Sequence, residues 1–116
     1  MGFGKVGILT IRKHKRFAVR RKASLCPAKG KRRDGLLVEL SLEGCRLGVT
    51  RAEEFSEGQL VKVRIPGFEA LAGEVRWAHD GLAGLRFVNP LHIWQLDNLI
   101  QLCRGEGEYE MRAYGT

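Results

Sequence analysis

The sequence predicts a mainly β domain: about six short antiparallel strands, closed as a small barrel or sandwich, followed by one α-helix. Three observations predict it. Apolar residues recur with a period of two in most segments after residue 22. The links between those segments are rich in Gly, Pro and acidic residues, and they are too short for crossover helices. The period then changes once, near residue 90, from that of a strand to that of a helix.

The first strand is expected over Ala23–Cys26 (ASLC). In GLLVELS, Leu36, Val38 and Leu40 alternate with Leu37, Glu39 and Ser41, which predicts a second strand with the first set on one face. Cys45, Leu47 and Val49 form the third apolar row, Val61, Val63 and Ile65 the fourth, and Leu71, Gly73, Val75 and Trp77 the fifth. Leu85 and Phe87 mark the sixth. Turns fall at LEG (42–44), SEG (56–58), PG (66–67) and HDG (79–81). A short chain with this many antiparallel strands closes on itself to hide its edges. After Phe87, Asn89 is suited to cap a helix and Pro90 to its first position. Ile93, Leu96, Ile100 and Cys103 recur at helical spacing, and Gly105 is expected to stop the helix. The polar tail 105–116 then reads as flexible.

A chain of 116 residues, 44% apolar and 28% charged, has the size and composition of one soluble domain. Its charge is uneven. Residues 1–33 hold twelve Lys or Arg and no carboxylate, while residues 34–116 hold eight basic and thirteen acidic side chains, which together give the net +7. Such asymmetry predicts an anionic partner for the basic end. Cys26, Cys45 and Cys103 are odd in number and far apart, which favours free thiols in a reducing cytosol over a disulfide framework or a zinc site. No apolar run approaches the roughly 20 residues of a membrane span, so the expected place is the cytoplasm.

Catalytic constellations are thin. His14, His79 and His92 are scattered, with no partner at metal-ligand or triad spacing, and no phosphate-binding Gly-rich loop enters a helix. Neither an enzyme nor a metal or cofactor site is expected. The informative features are two short motifs. Arg16-Phe-Ala-Val-Arg20 places two guanidiniums four residues apart in the basic arm, residues 1–22. Glu39-Leu-Ser41-Leu-Glu-Gly44 lies at a strand end and turn about twenty residues later. Guanidinium forks pair with phosphate oxygens and guanine acceptors, Ser41 offers a hydroxyl, and Gly44 lets backbone approach a ligand closely. Arg12 and Lys15 read as phosphate-steering charges or as merely solvated ones, whereas Lys29, Lys31, Arg32 and Arg33 read as a solvated hairpin loop. Trp77, at the end of an apolar row, fits either the barrel core or the wall of a pocket.

From RFAVR through ELSLEGCRLG and EVRWAHDGLAGLRFVNP to the C-terminal helix, the chain resembles the PilZ domains, receptors of the bacterial second messenger cyclic di-GMP. The family pattern is RxxxR in an N-terminal arm followed by (D/N)xSxxG on a barrel. The resemblance implies a six-stranded split barrel plus the C-terminal helix over residues 23–104, with the arm folding over a bound dinucleotide. It implies that Arg16 and Arg20 clamp guanine and phosphate and that Ser41 and Gly44 form the pocket wall. Trp77 would flank a guanine. Where the family has Asp or Asn this chain has Glu39, whose extra methylene moves the carboxylate by roughly an ångström.

Three functions follow from this sequence. The first is a non-catalytic cyclic di-GMP receptor that signals through its basic arm, with a downstream protein partner. The second is a motif-degenerate adaptor that binds protein without the nucleotide. A basic barrel for single-stranded nucleic acid is the third. It is disfavoured, because such binders interleave aromatic platforms with charge and the basic third offers only Phe3 and Phe17. The receptor is the favoured expectation.

Overall fold

The computed structural model describes residues 15–115, with side chains as far as Arg104. Six strands, β1 (Phe17–Pro27), β2 (Arg33–Leu40), β3 (Gly44–Val49), β4 (Leu60–Arg64), β5 (Leu71–His79) and β6 (Leu82–Phe87), close into an antiparallel barrel in the order β1-β2-β3-β6-β5-β4. Helix α1 (Ile93–Gly115) follows. The interior is filled by inward-facing aliphatic side chains, of which Leu25, Leu37, Leu40, Leu47, Val63 and Val75 are fully buried. Removing such side chains from water is the main stabilising term of a domain this size. On α1, Leu96, Leu99 and Cys103 are buried, and the helix lies against β1.

The alternating rows seen in the sequence become strands where expected, and β1, β2, Trp77 in β5 and both ends of the helix depart from that reading. β1 begins at Phe17, six residues before the expected start, so Phe17–Lys22 is strand rather than arm. Phe17 and Val19 supply its half-buried face, and Arg21 uses both Nε and Nη2 to donate to the Pro66 carbonyl, at 3.2 and 2.8 Å. In β2 the buried residues are Leu37 and Leu40, three apart, instead of Leu36, Val38 and Leu40. The cause is a β-bulge: Leu37 faces Leu47 and Glu39 faces Arg46, so Val38 is an extra residue that reverses the alternation.

The helix differs at both ends. His92, not Asn89, precedes its first turn; the Gln95 side chain accepts from the His92 backbone N–H at 2.9 Å, the reach-back half of a capping box. Asn89-Pro90 is spent on the bend from β6. Gly105 does not stop α1, which continues to Gly115. A helical glycine costs only about 1 kcal/mol relative to Ala, and Glu106, Glu108, Glu110 and Arg112 favour the helix. The side chains of the 105–116 tail, like arm residues 1–14 with Arg12, lie outside the described residues.

Candidate functional site

The second bulge is in β5. Val75 faces Leu85 and Trp77 faces Gly84, which makes Arg76 the extra residue. Plain alternation would aim Trp77 into the barrel alongside Val75, and Glu39 into it alongside Leu37. Each bulge turns its residue outward instead. The two side chains therefore meet Arg46, which alternates outward between the buried Cys45 and Leu47. Bulge, strand and bulge together build one wall.

That wall borders a cleft of about 260 Å³, lined among others by Arg16, Glu39, Arg46, Arg76, Trp77 and Arg86. Glu39 is its hub. One carboxylate oxygen, Oε1, lies 3.6 Å from Arg16 Nη1 and 3.5 Å from Arg46 Nη2. These are ion pairs rather than tight hydrogen bonds. The Arg16 side chain is 64% exposed and that of Glu39 29%, so solvent screens the Arg16 pair and leaves it worth at most about 1 kcal/mol. The Arg46 guanidinium also lies over the Trp77 ring, 5.6 Å from its centroid, a cation–π arrangement. Four guanidiniums and the carboxylates of Glu39 and Glu43 line the cleft, an excess of positive charge suited to an anion.

Two glycines make the geometry possible. A Cβ on Gly44 would stand 2.1 Å from the Leu85 carbonyl oxygen, so β3 and β6 cross more closely there than any side chain permits. Gly44 thus makes room for β6, and it also lines the cleft. A Cβ on Gly84 would fall 2.4 Å from the Trp77 indole, which lies in the hollow this glycine leaves.

Ser41 lines the cleft, and its hydroxyl is committed to the β2–β3 turn. The oxygen accepts from Glu43 N–H at 3.3 Å and Gly44 N–H at 3.2 Å, and the hydroxyl donates to the Gly44 carbonyl at 3.3 Å. That is the full capacity of a hydroxyl. Arg20 is on the outer face of β1, exposed, outside the cleft, and without an ion pair to another described residue. Lys15 is also outside the cleft, with its ammonium 5.3 Å from the Phe17 ring centroid. Of the expected residues the fold thus gathers Arg16, Glu39, Ser41, Gly44 and Trp77, and leaves Arg20 and Lys15 apart.

Sequence reasoning missed Arg46, Arg76, Arg86 and Gly84. Arg46 was within reach, since it alternates with an apolar row directly after Gly44. The other three depend on a bulge or a cross-strand neighbour.

The family profile of the PilZ domain matches residues 10–105. The chain belongs to the PilZ domain family. PilZ domains are cyclic di-GMP receptors, binding and adaptor domains rather than enzymes, and often act on partner proteins. Among solved structures, the PilZ domain of CeSA from a cellulose-synthesizing bacterium superposes with a TM-score of 0.60. It is 20% identical, and the alignment covers 80% of this chain and 98% of that one, a likeness of fold. No curated protein matches the chain. Among the described residues there is no cluster able to hold a metal ion, and no helix is long and apolar enough to cross a membrane. No disulfide links the cysteines. Burial pushes the Cys45 thiol up from its ordinary 9.0 to about 12.

Proposed function

We propose that this PilZ domain is a cyclic di-GMP receptor and adaptor, acting without catalysis in the cytoplasm, in which Arg16, Glu39, Arg46 and Trp77 meet the ligand. The observation that carries the reading is the Arg46–Trp77 stack beside Glu39 and Arg16. An indole face takes a purine, a guanidinium fork takes a phosphodiester or the guanine acceptor edge, and a carboxylate takes the guanine N1–H and N2–H donors. Ser41 and Gly44 act by holding the turn and the strand crossing that set the wall in place.

At about 260 Å³ the cleft is smaller than the roughly 300–1,000 Å³ of pockets that enclose a small molecule. It suits one guanine with its phosphate and leaves the rest of the dinucleotide for the basic arm to cover. Arg16 is the hinge point. It precedes β1, and its weak pair with Glu39 is readily exchanged for a doubly charged diester. Ligand binding then docks the arm ahead of Phe17, and the docked arm is what a partner protein reads. Arg20, held in β1, serves the rim.

Titration calorimetry with cyclic di-GMP, using GTP and cyclic AMP as controls, tests the reading. Tight binding of cyclic di-GMP alone is expected. Equal heats for all three, or none, would leave the adaptor that Glu39 keeps closed. Amide exchange tests the mechanism: protection should rise over residues 12–16 and 39–44, while strand residues 17–22 are protected throughout.

A further inference from the structure

A second basic surface lies around the barrel from the cleft and shares no lining residue with it. On the outer face of β1 and β4, Ser24 stands opposite Arg64, and Cys26 opposite Lys62. Lys22 and Arg32 border the same region, and all four cations are exposed. Lys22, Arg32 and Arg64 wall a groove of about 420 Å³, with Phe68 and Pro66 in its lining and Asp34 as its carboxylate. None of the four cationic side chains has an ion pair or hydrogen bond to another described residue. By contrast, Arg33 is 2.6 Å from Glu54, and Arg16 and Arg46 share Glu39. A wall of like charges left together raises the local potential and draws in a complementary anion.

We infer that this groove docks an acidic, extended segment of a partner protein carrying an apolar side chain. The walls supply the charge complement for Asp and Glu, and Phe68, half-buried in the lining, supplies an apolar contact between them. Because the barrel is closed, no strand edge is open for a peptide to extend, so recognition falls to side chains in a groove. A membrane surface is flat and would meet the rims without reaching Phe68. Single-stranded nucleic acid wants successive aromatic platforms, and Phe68 is the one aromatic in this lining.

Fluorescence anisotropy on the full chain tests this, with a short labelled peptide of Asp and Glu around a central Leu as the probe. Labelled oligothymidylate of equal length and vesicles containing phosphatidylglycerol are the competing probes. The peptide should bind most tightly, and the double variant Lys22→Glu/Arg64→Glu should weaken it by about tenfold or more. A double variant of equal charge outside both clefts, Arg51→Glu/Arg104→Glu, should change it by less than about twofold. Equal losses in the two double variants would reduce the effect to net charge and overturn the inference. So would tighter binding of oligothymidylate or vesicles, or no binding of the peptide. If the charge reversal lowers the melting temperature, Lys22→Gln/Arg64→Gln replaces it, with about a threefold loss expected. Cyclic di-GMP titrations should be the same in all these variants, which separates a failure of this groove from a failure of the nucleotide site.

Discussion

The barrel has a regular side and an irregular one. Around β4, the ladders to β1 and to β5 run without a break, from Pro27↔Val61 to Ser24↔Arg64 and from Leu60↔Glu74 to Val63↔Leu71. Around β2, both ladders slip, and β5 slips against β6 at Arg76. The regular side encloses the core and keeps its outward residues in plain alternation, Ser24 opposite Arg64 and Cys26 opposite Lys62. The irregular side also encloses the core, and it aims Glu39 and Trp77 at one outer cleft. A sheet with strict alternation can put polar residues outside, but its faces are set by parity along each strand. A bulge is the means by which a strand changes which residues it shows, at the cost of a locally disrupted ladder.

The largest expected effect separates the two sides by deletion. Removing Lys62 from β4 should turn Val63 out and Arg64 into the core, with a loss of at least about 4 kcal/mol. Removing Arg76 should cost about 1–2 kcal/mol, because Val75↔Leu85 and Trp77↔Gly84 already fit a regular ladder without it. Urea denaturation of both deletions checks this, and equal losses would break the comparison.

Next is the nucleotide itself. Arg16→Ala should weaken cyclic di-GMP binding by about 2–3 kcal/mol, and Arg20→Ala by less than about 1 kcal/mol, measured by calorimetry. Equal losses would mean that β1 is rebuilt on binding and that its register in the free domain is only a resting state.

Glu39→Asp should act in the opposite direction. The shorter side chain gives up both ion pairs and frees Arg16 and Arg46, so affinity should rise about threefold to tenfold while the unfolding free energy changes by less than about 1 kcal/mol. Unchanged or weaker affinity would show a pocket fitted to Glu.

The smallest effect is a rate. Cys45 is buried on the irregular side and Cys26 half-buried on the regular one. At neutral pH Cys26 should alkylate first and Cys45 only on unfolding, as followed by mass spectrometry. Faster labelling of Cys45 would mean that the bulges loosen the sheet. Its linkage to stability has a definite sign. With the thiol at about 12 when folded against 9.0 ordinarily, the unfolded chain loses the proton first. Stability from this group is therefore complete below pH 9 and falls as pH rises from 9 towards 12, by about 1.4 kcal/mol per unit.

The same division explains what could be read from the sequence. The β4 row Val61, Val63, Ile65 alternates cleanly, and each of these residues is buried. The β2 row reads just as cleanly as Leu36, Val38, Leu40, yet the structure buries Leu37 and Leu40. Nothing local marks Val38 or Arg76 as the extra residue, because a bulge is decided by the partner strand. The motif residues Arg16, Glu39, Ser41 and Gly44 were legible as a set, whereas the work of Ser41 and Gly44 was not. Ser41 closes its own turn with one hydroxyl, and the crossing that would leave a Gly44 Cβ only 2.1 Å from the Leu85 carbonyl oxygen exists only once β3 lies on β6. The early start of β1 was hidden for another reason: six charges in KHKRFAVRRK mask the half-buried alternation of Phe17, Val19 and Arg21.

The glycine hollow beneath Trp77 has an optical consequence. The chain has two tryptophans: Trp94 is 63% exposed at the start of α1, and Trp77 is held against Gly84 with a guanidinium on its ring. In a Trp94→Phe chain all indole emission would come from a single fluorophore whose pose is set by the backbone of the neighbouring strand. A guanine that took the place of the Arg46 guanidinium on the ring would quench it, and an arm closing over it would shift its colour to the blue. The domain would then report the occupancy of its own cleft in real time, with no dye attached.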